Sequence, residues 1–190
     1  MERHTRSPTP PPCDTGGRTE ALLIGGRSGV GKSSVGWEVA ARLRAADIGH
    51  ALIEGDLLDA VHPAPPGDPQ RSGITERNLA AIWANYRELG CRRLVYTNTA
   101  GVLPSEEHLF TKSLDGPRLI RVLLTATDTT AERRLRAREL GSELDQQLHR
   151  SALMSRHLDE HVPPDTHRIP TDDRDLGDIA ADVLRATGWL

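Results

Sequence analysis

The sequence predicts an α/β fold built on parallel strands, because apolar segments of strand length alternate with segments of helical periodicity. The first apolar segment, 21–24, leads into a glycine-rich loop, and a helical pattern follows that loop directly. At 190 residues, with 37% hydrophobic and 27% charged residues, the chain is long enough for one domain with a substantial core. Alternating strands and helices imply right-handed crossovers between the strands.

The glycine-rich loop carries the pattern Gly-x-x-x-x-Gly-Lys-Ser at residues 26–33, and a helix to about residue 46 follows it. Its glycines allow successive backbone N–H groups to turn inward, and a helix N-terminus adds partial positive charge. In this pattern Lys32 reaches the terminal phosphates, and the Ser33 hydroxyl takes a coordination position on Mg²⁺. The predicted nucleotide contacts are Gly26, Arg27, Ser28, Gly29, Val30, Gly31, Lys32, Ser33 and Ser34.

Composition and charge exclude several other classes of function. A formal net charge of −3 gives no reason to expect a nucleic-acid or membrane partner. Cys13 and Cys91 are the two cysteines of the sequence, too few for a disulfide framework, which fits a reducing cytoplasm. We expect a cytoplasmic protein in which a disordered, Pro-rich tail at 1–19 precedes one domain at 20–190.

The second predicted strand, 50–54, ends in the acidic sequence Glu54-Gly55-Asp56. A carboxylate at the carboxyl end of a strand lies where open α/β sheets bind ligands. A loop rich in Pro and Gly spans 63–72, and Thr75 is the predicted N-cap of the next helix. The apolar face predicted for that helix is Leu79, Ile82, Trp83, Tyr86 and Leu89, with Gly90 at its end.

The remaining elements continue the alternation of strand and helix. Strands are predicted at 92–98, 119–125 and 167–169, with a short helix from about 104. Thr129 or Thr130 is expected to cap an arginine-dense helix at 131–140, and another helix carries its apolar stripe over 144–158. A loop at 170–174 leads into a closing helix at 176–187.

This order of motifs resembles the small P-loop kinases, among them the gluconate, shikimate and adenylylsulfate kinases and the antibiotic-resistance ATP-binding proteins of that group. The motifs that carry the resemblance are the loop at 26–33 and the arginine-rich helix pair after the fourth strand. It implies a three-layer P-loop NTPase sandwich with a five-stranded parallel sheet in the order 2-3-1-4-5. It also implies a mobile helical lid at about 129–160.

The resemblance also implies roles for particular residues. Glu54-Gly55-Asp56 is similar to the Asp-Gly-Asp signature that ends strand two in these kinases, so Asp56 would face the acceptor hydroxyl and the metal. Arg77 and Asn78 resemble the Arg-x-x-Asn helix start of adenylylsulfate kinases with different spacing, and they are candidate acceptor contacts. The loop residues Asp172, Asp173 and Arg174 look like the segment that packs against adenine in many members.

Further candidates come from the residues themselves. Arg134 and Arg138 are i,i+4 neighbours on one helix face, where a closing lid would bring them over the phosphates. His62 follows the Asp56 segment and is a candidate acceptor contact. The third strand ends at 97–99 without an aspartate, so a conventional strand-three carboxylate is missing. A carboxylate for Mg²⁺ would then come from Asp56, either directly or through water.

The leading hypothesis is an ATP- and Mg²⁺-dependent phosphotransferase that acts on a hydroxyl of a metabolite, nucleoside-like compound or antibiotic. One alternative is a nucleoside or nucleoside-monophosphate kinase, whose anionic acceptor would recruit Arg71 or Arg77. Another is a regulatory or resistance protein that binds ATP without turnover, as the missing strand-three carboxylate allows. The identity of the acceptor and the oligomeric state stay open at this level.

Overall fold

The computed structural model describes residues 17–138 and 144–190. The predicted tail therefore lies outside the described residues up to residue 16, and the same holds for the part of the predicted lid at 139–143.

The described residues form a parallel sheet of five strands in the order β2-β3-β1-β4-β5. This confirms the sheet order that the family resemblance implies. The strands are β1 Glu20–Gly25, β2 Ala51–Glu54, β3 Arg93–Thr97, β4 Arg118–Thr125 and β5 His167–Pro170. The central strand β1 pairs with β3 on one side and β4 on the other. Its carboxyl end therefore lies in the middle of the sheet edge where ligands bind in such folds.

Helices cover both faces of the sheet. They are α1 Lys32–Ala45, α2 Ser72–Glu88, α3 Glu107–Ser113, α4 Asp128–Arg138, α5 Leu144–His161 and α6 Leu176–Thr187. One core packs Leu22 and Ile24 of β1 against α1 and α6. The other packs Leu23 of the same strand against Trp83 and Phe110, as the two-residue period of a strand requires. Within the described part of the chain, no helix has the length and hydropathy to cross a membrane.

The start of α2 differs from the sequence-based prediction. The helix begins at Ser72 rather than after Thr75, whose hydroxyl instead donates to the carbonyl of Arg71 at 2.8 Å. The carboxylate of Asp68 accepts the N–H of Ile74 at 3.0 Å and so takes the capping role. Desolvation raises the pKa of Asp68, but hydrogen bonds from backbone N–H groups, that of Ile74 first among them, outweigh it and hold the pKa below its ordinary value.

Two further local predictions are wrong. Helix α4 begins at Asp128, and the Thr127 hydroxyl accepts the N–H of Thr130 at 3.3 Å, so Thr127 takes the place expected for Thr129 or Thr130. Leu89, expected on the apolar face of α2, lies one residue beyond the helix and is 75% exposed. Both errors shift an element boundary by only a few residues and leave the fold unchanged.

Candidate active site

The loop between β1 and α1 has the backbone of a phosphate cradle. Gly26, Gly29 and Gly31 all have positive φ angles, of 141°, 88° and 95°. Residues other than glycine rarely adopt this backbone conformation. A Cβ atom on Gly29 would also lie 2.7 Å from the carbonyl oxygen of Ala131. All three glycines are therefore required by their conformation, and Gly29 is also required by the close approach of α4.

The first turn of α1 places Lys32 and Ser33 at this cradle. The Lys32 ammonium donates to the carbonyl of Arg27 at 3.3 Å, so it bends back along the loop. The Ser33 hydroxyl donates to Oε2 of Glu54 at 2.8 Å, and the Trp37 indole donates to Oε1 at 3.0 Å. The strand β2 thus delivers a carboxylate directly to the hydroxyl that this motif uses for Mg²⁺. The sequence predicts Asp56 rather than Glu54 as the carboxylate at this site, because no local pattern pairs Glu54 with Ser33 across 21 residues.

Asp56 lies two residues beyond Glu54, in a short 3₁₀ turn at Gly55–Leu57. Its Oδ1 accepts a hydrogen bond from the side-chain NH2 of Asn98 at 2.8 Å, and the side-chain Oδ1 of Asn98 accepts the N–H of Ala100 at 2.9 Å. Asn98 follows the end of β3, where the sequence lacks an aspartate. The chain therefore uses an amide at that position, and the amide orients the Asp56 carboxylate.

Gly55 lies between these two carboxylates and packs directly on Tyr96. A Cβ atom at Gly55 would be 2.2 Å from the Tyr96 hydroxyl oxygen and 2.5 Å from its ring carbon Cζ. The ring cannot withdraw easily, because it is 2% exposed and meets Phe110 edge-on at 5.0 Å. Burial raises the pKa of Tyr96 above its ordinary value, and the nearby Asp56 carboxylate adds to this. The buried tyrosine therefore sets the position of the acidic turn.

We expect Gly55→Ala to destabilise the protein by about 1–3 kcal/mol, the usual cost of overpacking, and to impair turnover by displacing both carboxylates. Urea unfolding and steady-state kinetics measure the two effects. Gly17→Ala is the control, because a Cβ there meets nothing within 4 Å and the φ of Gly17 lies outside the left-handed region. Normal turnover in Gly55→Ala would contradict the role given to this contact.

The cradle and the acidic turn share one cavity of about 540 Å³, within the range typical of small-ligand sites. Its described lining includes the predicted residues Ser28, Gly29, Val30, Gly31, Lys32, Ser33, Ser34, Asp56, Arg134 and Arg174, together with Glu54 and Thr171. The structure therefore brings the predicted phosphate loop, the acidic turn, one lid arginine and one residue of the 170–174 loop to a single place.

Arg134 lies on the wall of this cavity. Its guanidinium donates to the Thr171 hydroxyl at 3.0 Å and the Thr171 carbonyl at 2.8 Å. It also approaches the carbonyls of Gly29 and Val30 at 3.5 and 3.4 Å. Arg134 thus joins α4 to the phosphate loop and to the segment after β5. Its expected contact with the phosphates stays a prediction, and the side chain of Arg138 lies outside the described residues.

Arg27 points away from the cavity although it belongs to the phosphate loop. Its side chain is 4% exposed, pairs with Asp128 at the start of α4, and donates from Nε to the Ser151 hydroxyl at 2.9 Å. Ser151 in turn donates to the carbonyl of Ser28 at 3.1 Å. Arg27 and the Ser28 carbonyl therefore link the loop to α4 and α5 on the side away from the cavity. No local sequence pattern predicts these contacts.

We expect Ser151→Ala to destabilise the protein by about 1–3 kcal/mol, because it leaves the buried Arg27 Nε and the Ser28 carbonyl without this hydroxyl. Urea unfolding measures the change. Ser155→Ala, one turn further along α5 and less buried, serves as the control and should have a small effect. Equal stability of the two variants would show that the hydrogen bonds of the Ser151 hydroxyl do not stabilise the protein.

The predicted adenine-loop residues have different surroundings. The Asp172 carboxylate accepts the Thr127 hydroxyl at 2.7 Å, and hydrogen bonds from Thr130 and Thr127 hold the pKa of Asp172 below its ordinary value. Asp173 has a positive φ of 47°. Arg174 pairs with Asp182 at 2.7 Å and borders the cavity. Contact with a base stays a prediction for all three.

The predicted acceptor contacts lie farther out. His62 and Arg77 are exposed, while the Asn78 amide donates to the carbonyl of Leu58 at 2.6 Å. In the described part of the chain, none of the three borders the 540 Å³ cavity. Asn78 instead joins α2 to the segment that follows Asp56, so its visible contact is structural.

Solved structures share this fold. A tunicamycin resistance protein from Deinococcus radiodurans superposes with a TM-score of 0.61 at 20% identity, covering 90% of this chain and 96% of that one. An APS kinase from Mycobacterium tuberculosis in complex with AMPPNP and APS gives 0.58 at 21%, covering 90% and 98%. A gluconokinase from Sinorhizobium meliloti gives 0.57 at 21%, covering 89% and 91%. The chain therefore has the fold of the small P-loop kinases.

No family model matches the sequence, and no curated protein is similar to it in sequence.

Proposed function

We propose that this protein is an ATP- and Mg²⁺-dependent kinase that phosphorylates a hydroxyl group of a small molecule. One observation carries the proposal: the phosphate loop, Ser33, Glu54 and Asp56 all border one cavity of about 540 Å³. Such transfer needs the γ-phosphate held in line, its charge balanced and the acceptor oriented. Several structural neighbours are kinases, and one of them was crystallised with the nucleotide analogue AMPPNP, which supports this function.

The loop residues supply the binding of the nucleotide in this proposal. Inward-facing N–H groups and the N-terminus of α1 bind the phosphates, and Lys32 swings from the Arg27 carbonyl to balance the terminal charge. Arg134, already on the cavity wall, is the lid arginine best placed to join them. Arg174 borders the cavity next to Thr171 and marks the side where a base would lie.

The donor set at Ser33 and Glu54 fits Mg²⁺. A hydroxyl and a carboxylate oxygen lie 2.8 Å apart, and Mg²⁺ prefers oxygen ligands while keeping several waters. Among residues 17–138 and 144–190, no group of three or more His, Cys, Asp or Glu side chains could hold a metal alone, so phosphate oxygens would complete the shell. Bound there, Mg²⁺ neutralises charge on the phosphates. Ser33 and Glu54 would hold the ion there, and Asp56 would contribute its carboxylate directly or through water.

Asp56 acts on the acceptor in this proposal. The Asn98 amide holds one carboxylate oxygen, and the exposed carboxylate accepts the proton that the acceptor hydroxyl loses as its oxygen bonds to phosphorus. The bond from the γ-phosphorus to the bridging oxygen breaks, and ADP leaves. Binding of ATP without turnover is a second candidate, because Asn98 occupies the place of a strand-three carboxylate.

ADP release from ATP and Mg²⁺ with a panel of acceptors tests the proposal. The panel contains gluconate, shikimate, adenylylsulfate, tunicamycin, other sugars, nucleosides and nucleoside monophosphates. We expect at least one acceptor to raise ADP release well above the rate without acceptor. Tight ATP binding together with a flat panel would favour the protein that binds without turnover, and absence of ATP binding would overturn the proposal.

A further inference from the structure

A second cavity lies at the amino ends of the strands, at the other end of β1 from the phosphate loop. It has a volume of about 200 Å³ and is lined, among the described residues, by Gly17, Arg18, Glu20, Arg92, Arg93 and Arg118. We call it the basic pocket. The strand β1 separates it from the phosphate loop by about 17 Å, given the usual rise per residue of a strand. None of its residues borders the candidate active site.

The register of the sheet assembles this pocket. Glu20, the first residue of β1, pairs with Arg93 of β3 on one side and with Arg118 of β4 on the other. Three neighbouring strands therefore begin with a charged residue at the same level. Arg92 directly precedes β3, and Arg18 comes from the segment that enters β1, so four arginines line the pocket at the amino ends of these strands.

The charges of the basic pocket do not balance. Glu20 is the single carboxylate of the described lining, which also contains four arginines, so three positive charges are in excess. Arg118 at 2.5 Å and the Trp189 indole at 2.9 Å already occupy the two oxygens of Glu20. The nearby Asp115 is paired with Arg87. This excess stands out in a chain whose formal net charge is −3.

The arginines keep their charge available. Arg18 donates to the carbonyl of Gly116, and Arg92 donates to the carbonyl of Cys91 at 3.0 Å; such neutral partners fix the side chains without neutralising them. Nε of Arg93 is shielded from solvent and has no hydrogen-bond partner among the described residues, since Glu20 is 4.0 Å away. A shielded donor without an acceptor is costly, and an anion in the pocket would offset that cost.

We propose that the basic pocket binds a small, multiply charged phosphate anion at a site separate from the phosphate loop. Guanidinium groups match phosphate oxygens in a two-pronged geometry. A volume of about 200 Å³ is below that of pockets for drug-sized ligands, which fits pyrophosphate or the phosphoryl end of a metabolite rather than a whole nucleotide. Binding by this site does not depend on whether the protein is a kinase.

Equilibrium dialysis with labelled pyrophosphate, without Mg²⁺ and at fixed ionic strength, tests the proposal. The variants are Arg18→Gln/Arg118→Gln, Lys32→Ala, the combination of these two, and Arg44→Gln. Arg18 and Arg118 are exposed, and glutamine retains a donor, so the double variant should fold normally, which circular dichroism checks. Arg44 is an exposed arginine outside both cavities and is the control for general charge. Competition with orthophosphate and with glycerol phosphate distinguishes an inorganic anion from a phosphorylated metabolite.

We expect Lys32→Ala to retain a pyrophosphate site, and the double arginine variant to lose at least about tenfold in affinity at that site, as loss of charge-assisted hydrogen bonds implies. Arg44→Gln should bind as the unchanged protein does. Equal binding by Lys32→Ala with and without the two arginine substitutions would overturn the proposal. So would complete loss of pyrophosphate binding in Lys32→Ala, because all binding would then belong to the phosphate loop.

Discussion

Asp56→Asn should lower turnover of an accepted substrate by about 10²–10⁴-fold, the usual contribution of a general base, while ATP affinity changes little. Asparagine has nearly the same shape and keeps an oxygen for the Asn98 amide, which now lies 2.8 Å from the Asp56 carboxylate. The substitution therefore removes the negative charge and the proton acceptor without removing the contact that orients them. Steady-state kinetics with the accepted substrate and calorimetric binding of ATP measure the two quantities.

Asp115→Asn is the control for this prediction. Asp115 is exposed and is not among the described residues that border the cavity. Its φ of 62° is a conformation that asparagine tolerates well. The turnover of the Asp115→Asn variant should equal that of the unchanged protein. If Asp56→Asn retains full turnover with ATP and acceptor, Asp56 is not the base, and proton transfer must be assigned to another group.

Glu54→Gln should raise the Mg²⁺ concentration needed for half-maximal turnover by about 10–100-fold, the usual effect of removing a supporting residue of a metal site. Glutamine preserves the side-chain length and an oxygen for the Ser33 hydroxyl, which donates to Glu54 at 2.8 Å. The NH2 group of glutamine takes the place of the oxygen that accepts the Trp37 indole, so the substitution removes that hydrogen bond together with the negative charge beside the Ser33 hydroxyl. Turnover measured across a Mg²⁺ titration at saturating ATP gives the shift.

Trp37→Phe separates charge from position in this experiment. It removes the indole hydrogen bond to Glu54 at 3.0 Å but leaves the carboxylate, and the 58% exposure of Trp37 limits the packing that is lost. Its Mg²⁺ requirement should change much less than that of Glu54→Gln. A shift of equal size in both variants would mean that Glu54 acts by its position alone.

The phosphate loop could be predicted from sequence because its chemistry depends on eight consecutive residues, 26–33, whose glycines and helix start encode the backbone directly. The acidic turn at Gly55–Leu57 could also be placed, since a carboxylate after a strand lies at the ligand edge of such a sheet. Helix starts were less predictable. Asp68 caps α2 from outside the helix by accepting the N–H of Ile74, whereas the Thr75 hydroxyl donates to the carbonyl of Arg71.

The sequence by itself determined the alternation of strands and helices, the phosphate loop and its lysine and serine, because these depend on local periodicity and on backbone conformations encoded residue by residue. Only the tertiary structure decided that Glu54 contacts Ser33, that Tyr96 positions Gly55, and that Ser151 fastens Arg27 across 124 residues. It also decided that arginines from three separate segments meet Glu20 at one pocket. Such contacts follow from sheet order and register, which bring distant residues together without leaving a local pattern.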